Sequence, residues 1–537
     1  MNRLKKVLSK IHITTANGLV FCDRPDKNSY PDEIYHIHEK AKKIDASAVL
    51  FRRFYEEGEV THSKPMVYIY YKNLETNSKE HKEIHKKIWS ACEIDVYFIV
   101  SDTTINIFNA RKPADIIDPI EKKLSLENLC LVHETLEKFE DQRFSALVFG
   151  KGVFWEQDDF FDNIKNPNFF RNKLSVINTP FQRLLEYLIE VRKQLHSSTN
   201  QLSIAPERID KLLIICILIK FLEDKKDENG RHALEKIYKT EKVTDFAEAI
   251  EGGKFLSVLD ELAREFNGNI FYLSQTEKKE IEEANLNLIA DFLRANIDIR
   301  TKELFLWEQY SFNHLPVELI SSIYENFLPR EKGIVYTPPF LVNFLIDEVM
   351  PLNKAQKYFS KEQFKIFDPA CGSGVFLVAA YKRLLQWWAI NYFQEKSEFI
   401  LPDKKVCQRI LVNNIYGVDI HPTARLITVF SLTISLLDRL EPKELWNNLK
   451  LNNLQENIQK DNFFKWAVNN KGKKFDLVIG NPPFDSKKKA VTEKQLELFG
   501  INNSDFPNNN FALKFFEGAM FFGSIVCLIL PSNALLY

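Results

Sequence analysis

Residues 365–377 restrict the possible folds more than any other segment, because a short apolar strand runs there into a glycine turn and then a helix. Their sequence is Lys-Ile-Phe-Asp-Pro-Ala-Cys-Gly-Ser-Gly-Val-Phe-Leu. Gly372 and Gly374 remove side chains that would keep a ligand from the backbone, and the following helix points its N-terminus at the bound group. Leu377 stands where a dinucleotide fingerprint has its third glycine, which disfavours a nicotinamide or flavin dinucleotide. The segment therefore predicts the cofactor loop of an α/β sheet.

A second apolar strand, at residues 475–479, breaks into Gly-Asn-Pro-Pro-Phe at residues 480–484. Pro482 keeps Asn481 out of the helical region, and neither proline can donate a backbone hydrogen bond. The corner therefore offers a side-chain amide and bare carbonyls to a ligand. A planar ring that carries an amine could stack on Phe484 while the Asn481 oxygen and the Pro482 carbonyl accept the two N–H hydrogens. This arrangement suits methylation of an exocyclic amine, although taken alone the four residues are a weak signal and fit a proline loop as well.

Three further segments complete the pattern. Residues 414–422 are interpreted as a strand that ends in Asp419, an acid of the type that holds ribose hydroxyls in nucleotide-binding sheets. Residues 457–464 are predicted to form another strand with a polar end. Upstream, the pair Thr337-Pro338 precedes an apolar helix over 340–350, and it fits a helix entry with the Thr337 hydroxyl as the cap.

These motifs follow one another in the order Tyr-Thr-Pro, Gly-x-Gly, acid, Asn-Pro-Pro-Phe over residues 311–484. This order resembles that of the gamma group of N6-adenine DNA methyltransferases of restriction-modification systems, of the type I and type IIG kind. The resemblance implies a class I (Rossmann-like) methyltransferase sheet with S-adenosylmethionine as its cofactor. It also implies site-specific methyl transfer to adenine N6 in double-stranded DNA, with the target base flipped out because N6 is out of reach inside the duplex.

The resemblance transfers roles to particular residues. It assigns catalysis to Asn481, Pro482, Pro483 and Phe484. It assigns cofactor binding to Tyr336, Thr337, Pro338, Asp368, Pro369, Ala370, Gly372, Ser373, Gly374, Asp419, Ile420, Asp461, Asn462 and Phe463. Cys371 is interpreted as a small packing residue and His421 as structural, while Lys487, Lys488 and Lys489 are candidates for phosphate contacts or for a solvated loop.

Several alternatives stay open. One is a bifunctional restriction endonuclease and methyltransferase, and another is a non-catalytic module of an antiphage system that only binds cofactor and DNA. A protein-glutamine or RNA-guanine methyltransferase can also use an Asn-Pro-Pro-aromatic corner, although the large helical segment and the Tyr-Thr-Pro entry favour DNA.

The rest of the chain divides into a small α/β domain at 1–150 and a helical bundle at 151–305, which precede the methyltransferase domain at 306–537. An α/β domain in front of such an enzyme is often a restriction nuclease, but Tyr70 occupies the position two before Lys72 where a metal-binding acid belongs. The domain is therefore predicted to be a degenerate nuclease-like fold without a metal. His81 and His85 share one face of a probable charged helix and are interpreted as surface histidines. In the bundle, residues 209–222 are apolar nearly all round and are predicted to form its central helix.

Composition adds two limits. The 72 basic and 73 acidic residues leave a net charge of -1, so a nucleic-acid surface has to be local. Seven cysteines without a Cys-x-x-Cys pair argue for a reducing compartment and against a zinc site, and a cytoplasmic protein is expected.

The C-terminus gives one more expectation. Only 537 - 481 = 56 residues follow Asn481, and they hold one clear strand, at 524–530. That strand would be an apolar sheet edge, which native proteins normally cover. The chain is therefore expected to be a fragment or one half of a split enzyme, with the missing strands and target recognition supplied by a second polypeptide.

Overall fold

The computed structural model describes residues 2–25, 29–118, 121, 123–151, 189–196, 205–227, 229–266, 271, 273–294, 310–311, 314, 337–440, 454–483 and 511–531. The chain forms two compact units. The first comprises Met1–Lys193, Asp291–Pro316 and Tyr392–Leu401. The second comprises Gln194–Ala290, Val317–Asn391 and Pro402–Tyr537.

The first unit contains a mixed sheet in the order β1-β2-β3-β4-β5-β8. Its strands are β1 Leu19–Phe21, β2 Ala48–Glu56, β3 Glu59–Tyr71, β4 Val96–Val100, β5 Thr104–Asn109 and β8 Cys130–Thr135. Only β3 and β4 pair in parallel among these neighbours, because the helix Lys79–Ala91 connects them, and the other pairs are antiparallel. A separate antiparallel pair joins β6 Asp115–Asp118 to β7 Lys123–Ser125. Other helices of this unit include Asn2–Lys10, Pro31–His36, the π-helix Ile37–Ala41 and Ala146–Lys151.

The histidines of this unit correct one prediction. His81 and His85 lie on the helix Lys79–Ala91 as expected, but both are buried, and both ring systems contact the Tyr97 hydroxyl, at 3.0 and 3.2 Å. The interpretation as surface histidines was therefore wrong, because the apolar residues between the charges turn this helix face onto the sheet. Tyr70 is likewise fully buried.

The second unit begins with helices. The described ones are Pro206–Asp224, Glu235–Glu241, Phe246–Glu251, Phe255–Phe266, Gln275–Glu282 and Asn287–Leu293. Pro206–Asp224 is buried on nearly every side between Ile209 and Leu222, which confirms the predicted central helix with Cys216 in its core. At its C-terminal end, the buried Lys225 donates hydrogen bonds to the carbonyl oxygens of Leu437 and Asp438, at 2.6 and 2.8 Å. A cation at these carbonyls stabilises the last turn of the helix that carries them.

The same unit contains a fully parallel sheet in the order β11-β10-β9-β12-β13. Its strands are β9 Ile366–Asp368, β10 Ile415–Asp419, β11 Ile458–Lys460, β12 Phe475–Gly480 and β13 Gly523–Leu528. The helices around it are Pro339–Val349, Ala355–Phe359, Val375–Lys396, Lys404–Asn414, Pro422–Arg439, Phe463–Asn469 and Phe511–Phe522. The predicted strands thus form, although β11 is shorter than the predicted 457–464 because Asn462 caps the next helix.

Helices pack on both faces of this sheet. On one face Phe367 stacks on both Trp466 and Phe475, with ring centroids 4.6 and 4.7 Å away, inside a buried aromatic cluster. On the other face, Leu377 from the helix Val375–Lys396 lies against Gly417. The contact is so close that a Cβ on Gly417 would stand 2.9 Å from the Cδ1 atom of Leu377. The sheet is therefore held between two layers of helices, as in doubly wound α/β domains.

Strand β13 is the last strand of the sheet among the described residues. Among the described strands it pairs with β12 alone, and its side chains from Ile525 to Leu528 are only partly buried. The predicted apolar strand is therefore present, while a second polypeptide that would cover it stays a prediction.

Candidate active site

The strand order fixes where a ligand can bind. From β9 at the centre, the chain continues to β10 and β11 on one side and later returns to β12 and β13 on the other. In parallel α/β sheets, ligands bind outside the carboxyl ends of the strands where this order reverses. Here that place lies between β9, which ends at Asp368, and β12, which ends at Gly480.

The glycine loop after β9 has the conformation that its sequence requires. Gly372 and Gly374 have φ values of 54° and 82°, in the left-handed region that favours glycine. A Cβ on Gly374 would stand 2.8 Å from the Cγ2 atom of Thr428, and the Thr428 hydroxyl donates a 2.8 Å hydrogen bond to the Gly372 carbonyl. Sequence reasoning missed Thr428, because nothing in its local pattern distinguishes it from other residues of an apolar helix. It fixes the loop from the helix Pro422–Arg439.

Asp419 closes the other side of this loop. One carboxylate oxygen accepts a hydrogen bond from the Gly372 backbone N–H at 3.0 Å, and the other accepts from the His421 N–H at 2.8 Å. Burial raises the pKa of Asp419, and these backbone donors oppose the shift. The next residue, Ile420, is 51% exposed although it is large and apolar. An oriented carboxylate beside an open apolar side chain matches the needs of a ribose and an attached flat base.

Asp368 lies between the two loops. It is 1% exposed, and its Oδ1 atom accepts a 3.0 Å hydrogen bond from the Ala370 N–H. A Cβ on Gly480 would stand 2.5 Å from that same oxygen, so only glycine fits there. Burial, with a smaller contribution from the charge of Asp419, raises the pKa of Asp368 to about 8. The carboxyl group is therefore largely protonated at neutral pH. Sequence reasoning did not single out Gly480, although its place just before Asn481 was the available signal.

The Asn481 side chain begins the polar corner at the end of β12. Its amide nitrogen donates a 3.0 Å hydrogen bond to the hydroxyl oxygen of Thr337, and the preceding carbonyl, of Gly480, accepts from the Ile529 N–H at 3.0 Å. Pro482 is buried and Pro483 is partly buried. The prediction that the Thr337 hydroxyl caps the following helix was wrong. That helix starts at Pro339, its N-cap position is Pro338, and no side chain caps it.

The structure also places the remaining predicted residues. Pro369 and Ser373 are buried in the glycine loop. Asp461 follows β11, and its backbone N–H bonds the Asp419 carbonyl at 3.1 Å. Asn462 caps the helix Phe463–Asn469 through its side chain, and Phe463 is buried in the aromatic cluster. The predictions on Tyr336, Phe484 and Lys487–Lys489 lie outside the described residues.

A cysteine also lies in the glycine loop. Cys371 is buried, burial raises the pKa of its thiol well above the ordinary value, and its sulfur accepts a hydrogen bond from Thr428, which agrees with a packing role. Within the described parts of the chain, no three or more His, Cys, Asp or Glu side chains are grouped so as to bind a metal ion. No helix among those same residues combines the length and apolarity needed to cross a membrane.

The doubly wound parallel sheet, the glycine loop after its central strand and the acid at the end of the next strand define an α/β domain of the class I methyltransferase type. Residues 413–537 match the family model described as Eco57I restriction-modification methylase. The chain is 27% identical over 224 residues to the adenine-specific methyltransferase PglX of Streptomyces coelicolor. This alignment covers 35% of this chain and 18% of the relative. It is 25% identical over 236 residues to the type II restriction enzyme and methyltransferase RM.Eco57I of Escherichia coli. This alignment covers 35% of this chain and 24% of the relative.

The matched part of the chain therefore spans less than a quarter of either relative. These matches confirm the predicted resemblance to restriction-modification adenine methyltransferases. Among solved structures, the chain is similar to the type IIL restriction-modification enzyme MmeI in complex with DNA, with a TM-score of 0.40, 17% identity and coverage of 63% of this chain and 48% of that one. It is also similar to the DrdV-DNA complex, with a TM-score of 0.39, 12% identity and coverage of 99% and 50%.

Proposed function

We propose that the second unit carries out site-specific transfer of a methyl group from S-adenosylmethionine to the N6 amine of a flipped adenine in double-stranded DNA. The protein would serve a restriction-modification or related antiphage system. The observation that carries this proposal is the meeting of two loops at the point where the strand order reverses. The glycine loop after β9 and the Asn481 amide after β12 emerge side by side there.

The residues at the end of β10 fit the cofactor. Asp419 is held by two backbone N–H groups in a fixed orientation, and its remaining lone pairs can accept ribose hydroxyls. Ile420 presents an exposed apolar side chain next to it. The bare backbone at Gly372 and Gly374 allows close approach of the methionine part. S-adenosylmethionine, when bound, supplies an activated methyl group on its sulfonium.

The corner at Asn481 fits the acceptor. The Asn481 side-chain oxygen and the Pro482 carbonyl are suited to accept the two hydrogens of an adenine amine, which localises the nitrogen lone pair. That lone pair forms the new bond to the methyl carbon while the carbon–sulfur bond breaks, and the amine then loses a proton to solvent. Since a sulfonium is a good leaving group, no strong general base is required, and His421 has no catalytic role in this scheme.

The test is sequencing of methylated bases in DNA from cells that express the full-length protein. We expect N6-methyladenine at one sequence motif, and we expect none with Asn481→Ala. The Asn481→Ala protein should bind S-adenosylmethionine nearly as tightly as the wild type in calorimetry, because the amide is assigned to the base rather than to the cofactor. Undiminished methylation in this variant, or labelled methyl groups on protein or RNA instead of DNA, would contradict the proposal.

A further inference from the structure

The hairpin of β2 and β3 extends beyond the other strands of its sheet in the first unit. The neighbouring strands reach only its base, since β1 pairs with residues 48–50 of β2 and β4 pairs with residues 67–71 of β3. Farther out, residues 52–56 pair with residues 59–64 and with no other described strand. At about 3.3 Å per residue, this outer part is a two-stranded ribbon roughly 15 Å long.

One face of this ribbon is fastened to the helix Pro31–His36. Arg53 forms an ion pair with the fully buried Glu33, and its Nε atom lies 2.7 Å from the Oε1 atom of Glu33. Ser63, which is opposite Arg53 on the paired strand, donates a 3.2 Å hydrogen bond from its hydroxyl to the same carboxylate oxygen. A two-stranded ribbon is only marginally stable by itself in water. The contacts to Glu33 therefore hold the ribbon in place by this face.

The opposite face of the ribbon carries two cations beside one aromatic ring. Since side chains alternate between the two faces of a strand, Arg52 and Phe54 of β2 share this face with Lys64 and His62, which lie across from them on β3. The rings of Phe54 and His62 are stacked, with centroids 4.3 Å apart and an angle of 6° between their planes. The Arg52 Cζ and the Lys64 Nζ lie 4.6 and 5.6 Å from the centre of the Phe54 ring. We call these four residues the cationic face.

The two charges of the cationic face repel each other. Arg52 and Lys64 are directly opposite on the paired strands, a position in which like charges destabilise a ribbon. The Phe54 ring attracts both and holds them side by side. An anion that binds between them relieves the repulsion, and a guanidinium can bind a phosphate group through two hydrogen bonds. The cationic face therefore suits phosphate groups.

The tip of the ribbon limits how a polyanion can approach. Glu56, Glu57 and Glu59 are all exposed there, so phosphates are repelled from the tip and the ribbon is not suited to enter a DNA groove tip first. Proteins that bind single strands stack the bases on aromatic side chains. Here the Phe54 ring already contacts His62 and the two cations. These contacts favour the backbone of a duplex, whose bases need no aromatic partner.

We propose that the cationic face binds the phosphate backbone of duplex DNA, with Arg52 and Lys64 as the residues that contact phosphate. The stacked rings of Phe54 and His62 keep the two cations in place. The inference rests on the proposed function in its choice of DNA among polyanions. Because contacts to phosphate carry no sequence information, this surface adds affinity for any duplex and leaves the recognition of a site to other residues.

The test measures DNA binding by the whole chain without cofactor. The fluorescence anisotropy of labelled mixed-sequence duplexes gives the association constant at several salt concentrations. We expect Arg52→Gln/Lys64→Gln to weaken binding about tenfold or more near 0.1 M salt, equally for unrelated sequences. The slope of log K against log salt should become shallower by about 2, because each phosphate contact contributes about 0.9. If this double variant does not fold, the exposed Lys64→Gln alone should make the slope shallower by about 1.

Lys42→Gln/Lys43→Gln is the matched control. It removes two positive charges from exposed positions in the same unit, away from the ribbon, and should leave the slope unchanged. A wild-type affinity and slope for Arg52→Gln/Lys64→Gln would overturn the inference. An equal loss in the control would also overturn it, since it would show an effect of total charge alone.

Two further duplex and strand comparisons decide the partner. The same loss on duplex RNA but none on duplex DNA, or a loss confined to single strands, would contradict the choice of duplex DNA. Failure of the proposed function can be told apart from these results, because the binding assay contains no cofactor and requires no target site. Absence of adenine methylation by the wild-type protein would reject the proposed function, while the effect of the double variant on binding would still test the cationic face.

Discussion

Replacement of Asp368 by Asn should change how the stability of the second unit depends on pH. Asp368 is almost completely buried, and its pKa is raised from 3.8 to about 8, chiefly by burial. The folded protein therefore holds a proton on this carboxyl group between about pH 4 and pH 8, whereas the unfolded chain has lost it. Because the folded state binds more protons over this range, the free energy of unfolding falls as the pH rises through it and levels off above pH 8.

The size of the effect follows from the shift. A difference of about four pKa units corresponds to roughly 6 kcal/mol between the two ends of the range, with a slope of up to about 1.4 kcal/mol per pH unit. Asparagine is neutral at every pH and can still accept the hydrogen bond from the Ala370 N–H. The free energy of unfolding of Asp368→Asn should therefore lack this dependence on pH. It should be close to the wild type in stability near pH 4 and several kcal/mol more stable near pH 9.

The assay is urea unfolding of both proteins from pH 4 to pH 9, with the difference between them plotted against pH so that titrating groups not coupled to Asp368 cancel. Glu456→Gln is the control, because it makes the same change of a carboxyl to an amide at an exposed position. Parallel curves for Asp368→Asn and the wild type would refute the reasoning, since they would mean that Asp368 is ionised in the folded protein.

The remaining predictions concern the loops and the first unit. Asp419→Ala should weaken S-adenosylmethionine binding by about 1.5 to 3 kcal/mol for each lost charge-assisted hydrogen bond, and unchanged affinity in calorimetry would reject its ribose role. Gly374→Ala should destabilise the second unit by about 1 to 3 kcal/mol and weaken cofactor binding, because the new Cβ meets Thr428 at 2.8 Å in a left-handed conformation. Tyr97→Phe should destabilise the first unit by about 1 to 3 kcal/mol, because it leaves two buried histidines without its hydroxyl. Tyr70→Phe should leave the stability unchanged or raise it, since the Tyr70 hydroxyl has no hydrogen-bond partner among the described residues. Thermal unfolding should therefore give a lower midpoint for Tyr97→Phe and an unchanged or higher midpoint for Tyr70→Phe, each relative to the wild type.

The two central strands of the sheet in the second unit, β9 and β12, could be predicted from the sequence, because each ends in an abrupt change from apolar to polar residues. The change after Phe367 and the one after Ile479 both mark real strand ends. Such boundaries are local, so they can be read without knowledge of the fold. The helix Pro206–Asp224 was predictable for a similar reason, since a helix that is apolar all round has to be buried.

The features that the sequence did not predict depend on contacts between distant segments. The Thr337 hydroxyl has a local partner available in any helix entry, and only the fold brings Asn481 within reach of it. His81 and His85 stand among charged residues, so their burial depends on which face of the helix meets the sheet. Asn462 is equally suited to a strand end and to a helix cap, and the short β11 results from the second choice.

The same long-range contacts restrain the proposed active site at the carboxyl ends of the strands. Gly372 is bonded to Asp419 and Thr428, which lie 47 and 56 residues further along the chain, and Asn481 is bonded to Thr337. Loops held only by local contacts would have to be ordered when the ligands bind, and that entropy would oppose both binding and methyl transfer. Here folding itself orients the glycine loop and the amide. Changes to these bonds should therefore reduce the reaction rate even where the affinity for cofactor is preserved, because rate depends on the fraction of enzyme in which both loops are correctly oriented at once.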